Sequence, residues 1–177
     1  MRHPTVRFIR KDERGFTLIE MVVVLALIGL ITLGITAAIM QILTINTRAS
    51  NHMIAVRQVD QAVKQVIWDT LQAQNVTYTQ NPHFLLTLAW TDWDRTENAV
   101  NYTIEDNKLK RSQSIDGGSP TLRVIAQYID PYQTGCDPVG VLPDDSPLTF
   151  EVTATVGNGP YEAVETRVYE IKPRPTQ

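Results

Sequence analysis

The first third of the chain carries a long apolar run that is not repeated later. From Phe16 to Met40 a single residue, Glu20, is charged, and the run exceeds 20 residues. At 1.5 Å per residue, a helix of that length crosses a hydrocarbon core of about 30 Å. Because only a helix or a closed barrel satisfies the backbone in lipid, the run predicts a membrane-spanning helix.

Apolar residues continue beyond this run, but only on one helical face. They recur at spacings of three and four, the period of an amphipathic helix, at Ala49, Met53, Val56, Val59, Val63, Val66, Ile67 and Leu71. Polar side chains take the opposite face. The pattern predicts one helix from about Phe16 to about Asn75, with Val63 and Ile67 in the core of the following domain. A coiled-coil stalk is the alternative.

After Asn75 the pattern changes from helical to alternating. The candidate strands are Phe84–Trp90, Ala99–Glu105, Lys108–Gln113, Leu122–Ile129, Pro147–Val156 and Val164–Lys172. Asp106 and Asn107 predict a tight turn, because both residue types tolerate a positive φ. A helix followed by a series of strands is typical of an α+β fold. We expect a long N-terminal helix packed against an antiparallel β-sheet with one wet face.

Charge is distributed unevenly along the chain. The formal net charge is −3, but residues 1–15 contain five basic and two acidic side chains, so the remainder carries −6. Basic residues before an apolar span place the N-terminus in the cytoplasm and the C-terminal domain outside it. The acidic body argues against a nucleic-acid partner, which needs many phosphate-neutralising cations. The one basic strip, Lys108–Arg111, is interpreted as a solvated sheet edge.

The start of the apolar run contains a carboxylate that lipid would penalise. The sequence there reads Arg14-Gly15-Phe16-Thr17-Leu18-Ile19-Glu20-Met21. An unpaired charge within a span costs about 2–3 kcal/mol. Glu20 is therefore a functional intramembrane carboxylate, a helix N-terminal acid favoured by the helix dipole, or both. An ordinary secretory signal is disfavoured, because the apolar core is too long and no A-x-A site follows it.

This junction and the long apolar helix after it resemble the leader junction of type IV pilins and type II secretion pseudopilins. The resemblance implies that a prepilin peptidase cuts between Gly15 and Phe16 and methylates the new amine of Phe16. It also implies a role for Glu20 in assembly. The chain then divides into a leader (1–15), a transmembrane and assembly helix (16–45), its amphipathic continuation (46–75) and a pilin-like antiparallel β-sheet domain (76–177).

The same resemblance implies a structural filament subunit, not an enzyme. Its partners would be prepilin peptidase, other pilin or pseudopilin subunits, an inner-membrane assembly platform and membrane lipid. Many major pilins carry a proline within the apolar helix where this chain has Thr36-Ala37-Ala38, which favours a minor subunit. Two alternatives stay open: a single-span, extracytoplasmic binding module that never assembles, and a pseudopilin of a DNA-uptake (competence) filament.

The segment 130–146 is rich in turn residues and predicts a long loop. Its aspartates Asp137, Asp144 and Asp145 are candidate calcium ligands, although solvated turn residues explain them without a metal. Neither a metal nor another cofactor is expected. The lone Cys136 cannot form an intramolecular disulfide and is expected to be a buried thiol. The sequence contains no recognisable catalytic motif.

Overall fold

The computed structural model describes residues 15–80, 84–143 and 146–174, and it divides into two compact units, the first ending at Leu43 and the second beginning at Thr44. Helix α1 spans Leu18–Gln72. Nine strands follow within the described residues: β1 Asn75–Thr79, β2 Leu85–Thr91, β3 Glu97–Glu105, β4 Lys108–Ile115, β5 Thr121–Gln127, β6 Gly135–Asp137, β7 Gly140–Val141, β8 Leu148–Val156 and β9 Ala163–Ile171. A short 3-10 helix, Gly159–Tyr161, joins β8 to β9.

The described part of the first unit consists of the apolar half of α1 and the three residues before it. All residues from Gly15 to Leu43 are exposed, so the described part of this unit has no core of its own. By length and composition, α1 can cross a membrane. Its apolar surface therefore requires lipid or another protein around it.

The second unit contains all nine strands, and every strand pair is antiparallel. A six-stranded sheet has the order β5-β4-β3-β2-β1-β7, and a smaller sheet has the order β6-β8-β9. The remaining half of α1 packs against these sheets, so the predicted α+β fold is confirmed. The turn at Asp106 and Asn107 is confirmed too, with φ of 52° and 58° and β3 pairing directly with β4.

The core lies between α1 and the sheets. The helix contributes Ala55, Val59, Ala62, Val63 and Val66, and the strands contribute Leu86, Leu88, Val100, Tyr102, Phe150 and Val152. Val63 is buried as predicted, whereas Ile67 is only partly buried against the core.

The buried face of the helix is rotated from the predicted stripe. Met53 and Leu71 are 65% and 51% exposed, so their assignment to the buried face was wrong. Ala55 and Ala62 are buried instead. Spacings of three and four fit two neighbouring helical faces, and the sheet packs on the face whose alanines allow a closer approach.

Several features of the fold differ from the sequence prediction. The helix ends at Gln72, and Asn75 begins the unpredicted strand β1, in which Val76 and Tyr78 are buried. The predicted loop 130–146 contains the short strands β6 and β7. The basic strip Lys108–Arg111 does not form a sheet edge, because β4 lies between β3 and β5.

Candidate functional site

The predicted cleavage junction lies just outside the first turn of α1. Residues 15–17 are not helical, and the helix begins at Leu18. The Thr17 Oγ1 accepts a hydrogen bond from the Glu20 amide at 3.3 Å, and the Thr17 carbonyl accepts one from the Met21 amide at 3.2 Å. Thr17 is therefore the N-cap of α1, and it holds the predicted cut site outside the helix.

A Thr-x-x-Glu sequence is the signature of a capping box, and the sequence prediction missed it at Thr17 and Glu20. The positive end of the helix dipole stabilises a carboxylate in the first turn. Glu20 is exposed, and in the described part of the chain no basic side chain forms an ion pair with it. The geometry supports the helix-terminal role, and it also leaves the carboxylate free for a partner outside this chain.

Gly15 and Phe16 are both accessible. A side-chain carbon built on Gly15 would meet no atom within 4 Å, and Phe16 is exposed. The backbone of this junction is thus open to another protein, as a protease substrate must be. Gly15 and Phe16 lie just before α1, and Glu20 lies in its first turn. Their roles in cleavage, methylation and assembly stay predictions.

The helix after the junction satisfies its own polar groups. Thr32 donates its hydroxyl to the Ile28 carbonyl, and Thr36 donates to the Thr32 carbonyl, each at 2.8 Å. Such bonds to the preceding turn let threonine lie in lipid without an unsatisfied hydroxyl, and they favour slight bending of a helix. They occur in the stretch where many major pilins carry proline.

A buried ion pair connects α1 to the six-stranded sheet and was not predicted. Asp69 is 2% exposed. Its Oδ2 accepts from Arg111 Nε at 2.6 Å, and its Oδ1 accepts from Arg111 Nη2 at 3.2 Å. The buried Tyr102 hydroxyl donates to the same carboxylate. The two bonds from one guanidinium form the bidentate geometry of a strong charge-assisted pair.

The Asp69 cluster joins α1 to strands β3 and β4 of the six-stranded sheet. Burial, reinforced by the Asp69 charge, raises the pKa of the Tyr102 hydroxyl. The Asp69 carboxylate is occupied by Arg111 and Tyr102, which leaves little capacity to act as a base. The sequence did contain a signal for it: Asp69 follows Val66 by three residues and so lies on the buried face.

The candidate calcium ligands are only partly described. Asp137 is exposed in β6, whereas Asp144 and Asp145 lie outside the described residues. Asp130 accepts hydrogen bonds from the amides of Tyr132 and Gln133 at 2.9 Å and 3.3 Å, which is the local role of a turn aspartate. Within residues 15–80, 84–143 and 146–174, no group of three His, Cys, Asp or Glu side chains could hold a metal ion.

Cys136 is buried as predicted, and burial raises the pKa of its thiol. A protonated, enclosed thiol is a poor nucleophile. Of the two neighbouring tryptophans, Trp90 is buried at the end of β2, whereas Trp93 is 96% exposed.

Comparison with known proteins adds one finding at the N-terminal junction. No curated protein and no solved structure matches the chain. Residues 10–36 match the family model of the prokaryotic N-terminal methylation motif. That motif supports a type IV pilin-like or pseudopilin subunit, implies processing by a prepilin peptidase and assembly with other pilin subunits, and fits membrane anchoring. The chain therefore carries the leader signature of type IV pilins and pseudopilins.

Proposed function

We propose that this chain is a non-enzymatic minor subunit, a minor pilin or pseudopilin, of a type IV pilus-like or type II secretion filament. The observation that carries the proposal is the methylation motif at residues 10–36, placed immediately before and within an exposed apolar helix. Such a helix needs surroundings outside its own chain, and a bundle of like helices in a filament supplies them.

Cleavage after Gly15 acts as the switch for assembly. The cut frees an amine on Phe16, four residues before Glu20. In a helical stack, the amine of one subunit neutralises the Glu20 carboxylate of a neighbour, which offsets the cost of burying that carboxylate. The uncut precursor lacks this amine and retains a charged leader that resists leaving the cytoplasmic side.

The partners follow from this sequence of events. Prepilin peptidase removes the leader, the membrane lipid holds the single span, and an inner-membrane assembly platform passes the subunit to other pilin or pseudopilin subunits. The N-terminus is cytoplasmic and the C-terminal domain extracytoplasmic, because the leader is basic. The minor rather than major assignment rests on the absence of proline at Thr36-Ala37-Ala38.

Processing is the direct test of the proposal. In cells with an active prepilin peptidase, mass spectrometry should find a mature N-terminus at methylated Phe16. A bulky replacement such as Gly15→Leu should leave full-length precursor in the membrane, because the added side chain hinders the tight geometry at the cut. The matched control is Gly29→Leu, a glycine in the apolar run whose side-chain position is equally open and which should not affect cleavage.

The same experiment separates the alternatives. A wild-type chain that still begins at Met1 beside an active peptidase is the result expected of a plain membrane-anchored binding module, and it would end the filament proposal. A DNA-uptake filament would also be processed. It predicts, in addition, salt-dependent DNA binding by the C-terminal domain, against which the acidic charge of residues 16–177 counts.

A further inference from the structure

Two shallow grooves of opposite charge lie at opposite edges of the six-stranded sheet. The basic groove lies between α1 and β5, has a volume of about 600 Å³ and contains Lys64, Trp68 and Arg123. The acidic groove lies beside β1 and β6, has a volume of about 430 Å³ and is lined in part by Tyr132, Asp137 and Glu151. Strand β5 ends the sheet on one side, and β1 and β7 end it on the other.

The basic groove carries two cations around an exposed aromatic ring. Lys64 and Arg123 are exposed, and in the described part of the chain neither forms an ion pair. Trp68 lines the same groove and is 67% exposed. Tryptophan and arginine are the side chains that most often anchor protein–protein contacts. An exposed tryptophan beside two cations is therefore typical of a protein–protein interface.

The acidic groove has the complementary arrangement. Glu151 lies opposite Gly135 and Asp137 lies opposite Thr149 in the pairing of β6 with β8, so both carboxylates project from the same face of the small sheet. Among the residues that the structure describes, neither carboxylate has a cationic partner. Tyr132 is 93% exposed at the same groove.

We infer that the basic groove of one copy of this chain docks on the acidic groove of a neighbouring copy. Lys64 and Arg123 then face Asp137 and Glu151, and the rings of Trp68 and Tyr132 are covered. Because the two grooves occupy opposite edges of one sheet, the contact is heterologous and can repeat along a series of copies. A nucleic acid or another polyanion would use the basic groove alone and would leave the acidic groove without a role.

This inference rests on the proposed filament role and makes it more specific. A low-abundance subunit whose copies bind each other would form short runs in the filament instead of being scattered singly. The charge pairs set the direction of the contact and disfavour like-to-like docking of two basic or two acidic grooves.

Disulfide crosslinking between two full-length copies in the same cells tests the contact. One copy carries Gln61→Cys in the basic groove, and a second, epitope-tagged copy carries Thr149→Cys in the acidic groove, both with Cys136→Ala. Crosslinks are scored in the sheared filament fraction. We expect a heterodimer of the two copies, and we expect Lys64→Glu with Arg123→Glu in the first copy to reduce it about tenfold or more.

The decisive arm is charge exchange. Adding Asp137→Lys and Glu151→Lys to the second copy should restore the crosslink that the reversed first copy has lost. Arg57→Glu, which reverses an exposed cation outside the basic groove, should leave it unchanged. The self-contact would be overturned if both copies reached the filament fraction without forming a crosslink. It would also be overturned if the exchanged charges did not restore the crosslink. Either result would leave the filament role standing. A crosslink to a protein of different mass would overturn the self-contact as well. Absence of the chain from filaments would instead refute the proposed function.

Discussion

The two halves of helix α1 share one backbone conformation and have opposite environments. Residues 16–43 expose every side chain, whereas Ala55, Val59, Ala62 and Val66 in the second half are completely buried against the sheets. The first half is apolar all round, and none of its side chains belongs to the core that the described residues form. The second half has an apolar stripe that packs into that core. The width of the apolar surface, and not helix propensity, decides whether a segment folds with its own domain or waits for lipid and other subunits.

The largest effect on the folded half should come from the buried ion pair. Asp69→Ala removes the carboxylate and leaves the charged Arg111 side chain, which is 12% exposed, without its partner, which should destabilise the second unit by about 3–5 kcal/mol. The control on the same helix is Asp60→Ala, which removes a partly exposed pair with Arg167 and should cost less than about 1 kcal/mol. Urea unfolding of the fragment beginning at Thr44 measures both values. Equal losses would show that burial adds nothing to the Asp69 pair.

Alkaline pH should destabilise the second unit through Cys136. Burial raises the pKa of its thiol in the folded state, whereas an unfolded thiol ionises near pH 8.5. The contribution to stability is therefore complete below about pH 8.5 and is lost as pH rises towards the folded pKa. The free energy of unfolding should fall by about 1.4 kcal/mol per pH unit, or about 2 kcal/mol by pH 10.

The Cys136→Ala variant tests the origin of that slope. Its stability should be nearly independent of pH between about 8.5 and 10, because the next buried groups with a raised pKa, Tyr78 and Tyr102, ionise in the unfolded chain only near pH 10. Urea titrations of both proteins across this range supply the comparison. A slope that persists in the variant would assign the effect to other groups.

A smaller effect follows from the same substitution made in each half of the helix. Ile67→Ala should destabilise the second unit by about 1–2 kcal/mol, below the range for a fully buried isoleucine, because Ile67 is only partly buried. Ile31→Ala, in the exposed half, should leave that stability unchanged. Tryptophan fluorescence of the full-length chain in detergent reports on the second unit, which contains all three tryptophans. An equal loss of stability from the two substitutions would contradict the division of the helix into an exposed and a buried half.

Glu20→Ala should have the smallest effect on stability and a clear effect on assembly. Membrane insertion, leader cleavage and the stability of the second unit should be unchanged, because Glu20 lies outside that unit. The ratio of this protein in sheared filaments to membrane should fall, because the substitution removes the carboxylate that we propose pairs with the Phe16 amine of a neighbouring subunit. Glu20→Gln distinguishes charge from hydrogen bonding. An unchanged ratio in normally assembled filaments would leave Glu20 as a helix-terminal acid only.

The features of the fold that depend on local sequence patterns were predictable. Those that depend on contacts between distant segments were not. The apolar run, the helical stripe and the Asp106–Asn107 turn are local patterns, and they predicted the helix and the turn correctly. Which face of the helix is buried depends on the shape of the sheet, so Met53 and Leu71 were misplaced. The strip around Lys110 was misread for a related reason: strand order is set by pairing between distant segments, and β5 covers the edge that the lysines were expected to protect.

The candidate site divides in the same way. The Gly15–Glu20 junction is contiguous in sequence, so its residues could be identified without a structure. The Asp69 cluster and the two grooves assemble side chains that are far apart in the chain. Arg111 and Lys64 looked like ordinary solvated cations until the sheet placed one against Asp69 and the other beside Arg123.

The bonds between α1 and the end of the chain bear on when the domain can fold. Asn51 donates to the Tyr161 carbonyl at 2.7 Å across 110 residues, and Asp60 pairs with Arg167 across 107. Contacts of such high order form late, because the loop between them must close first. A chain emerging from its N-terminus therefore carries an uncovered helix face until β8 and β9 are made. Folding of the domain can therefore be completed only after β9 has been synthesised, and premature termination before β9 should yield a species recognised by proteases.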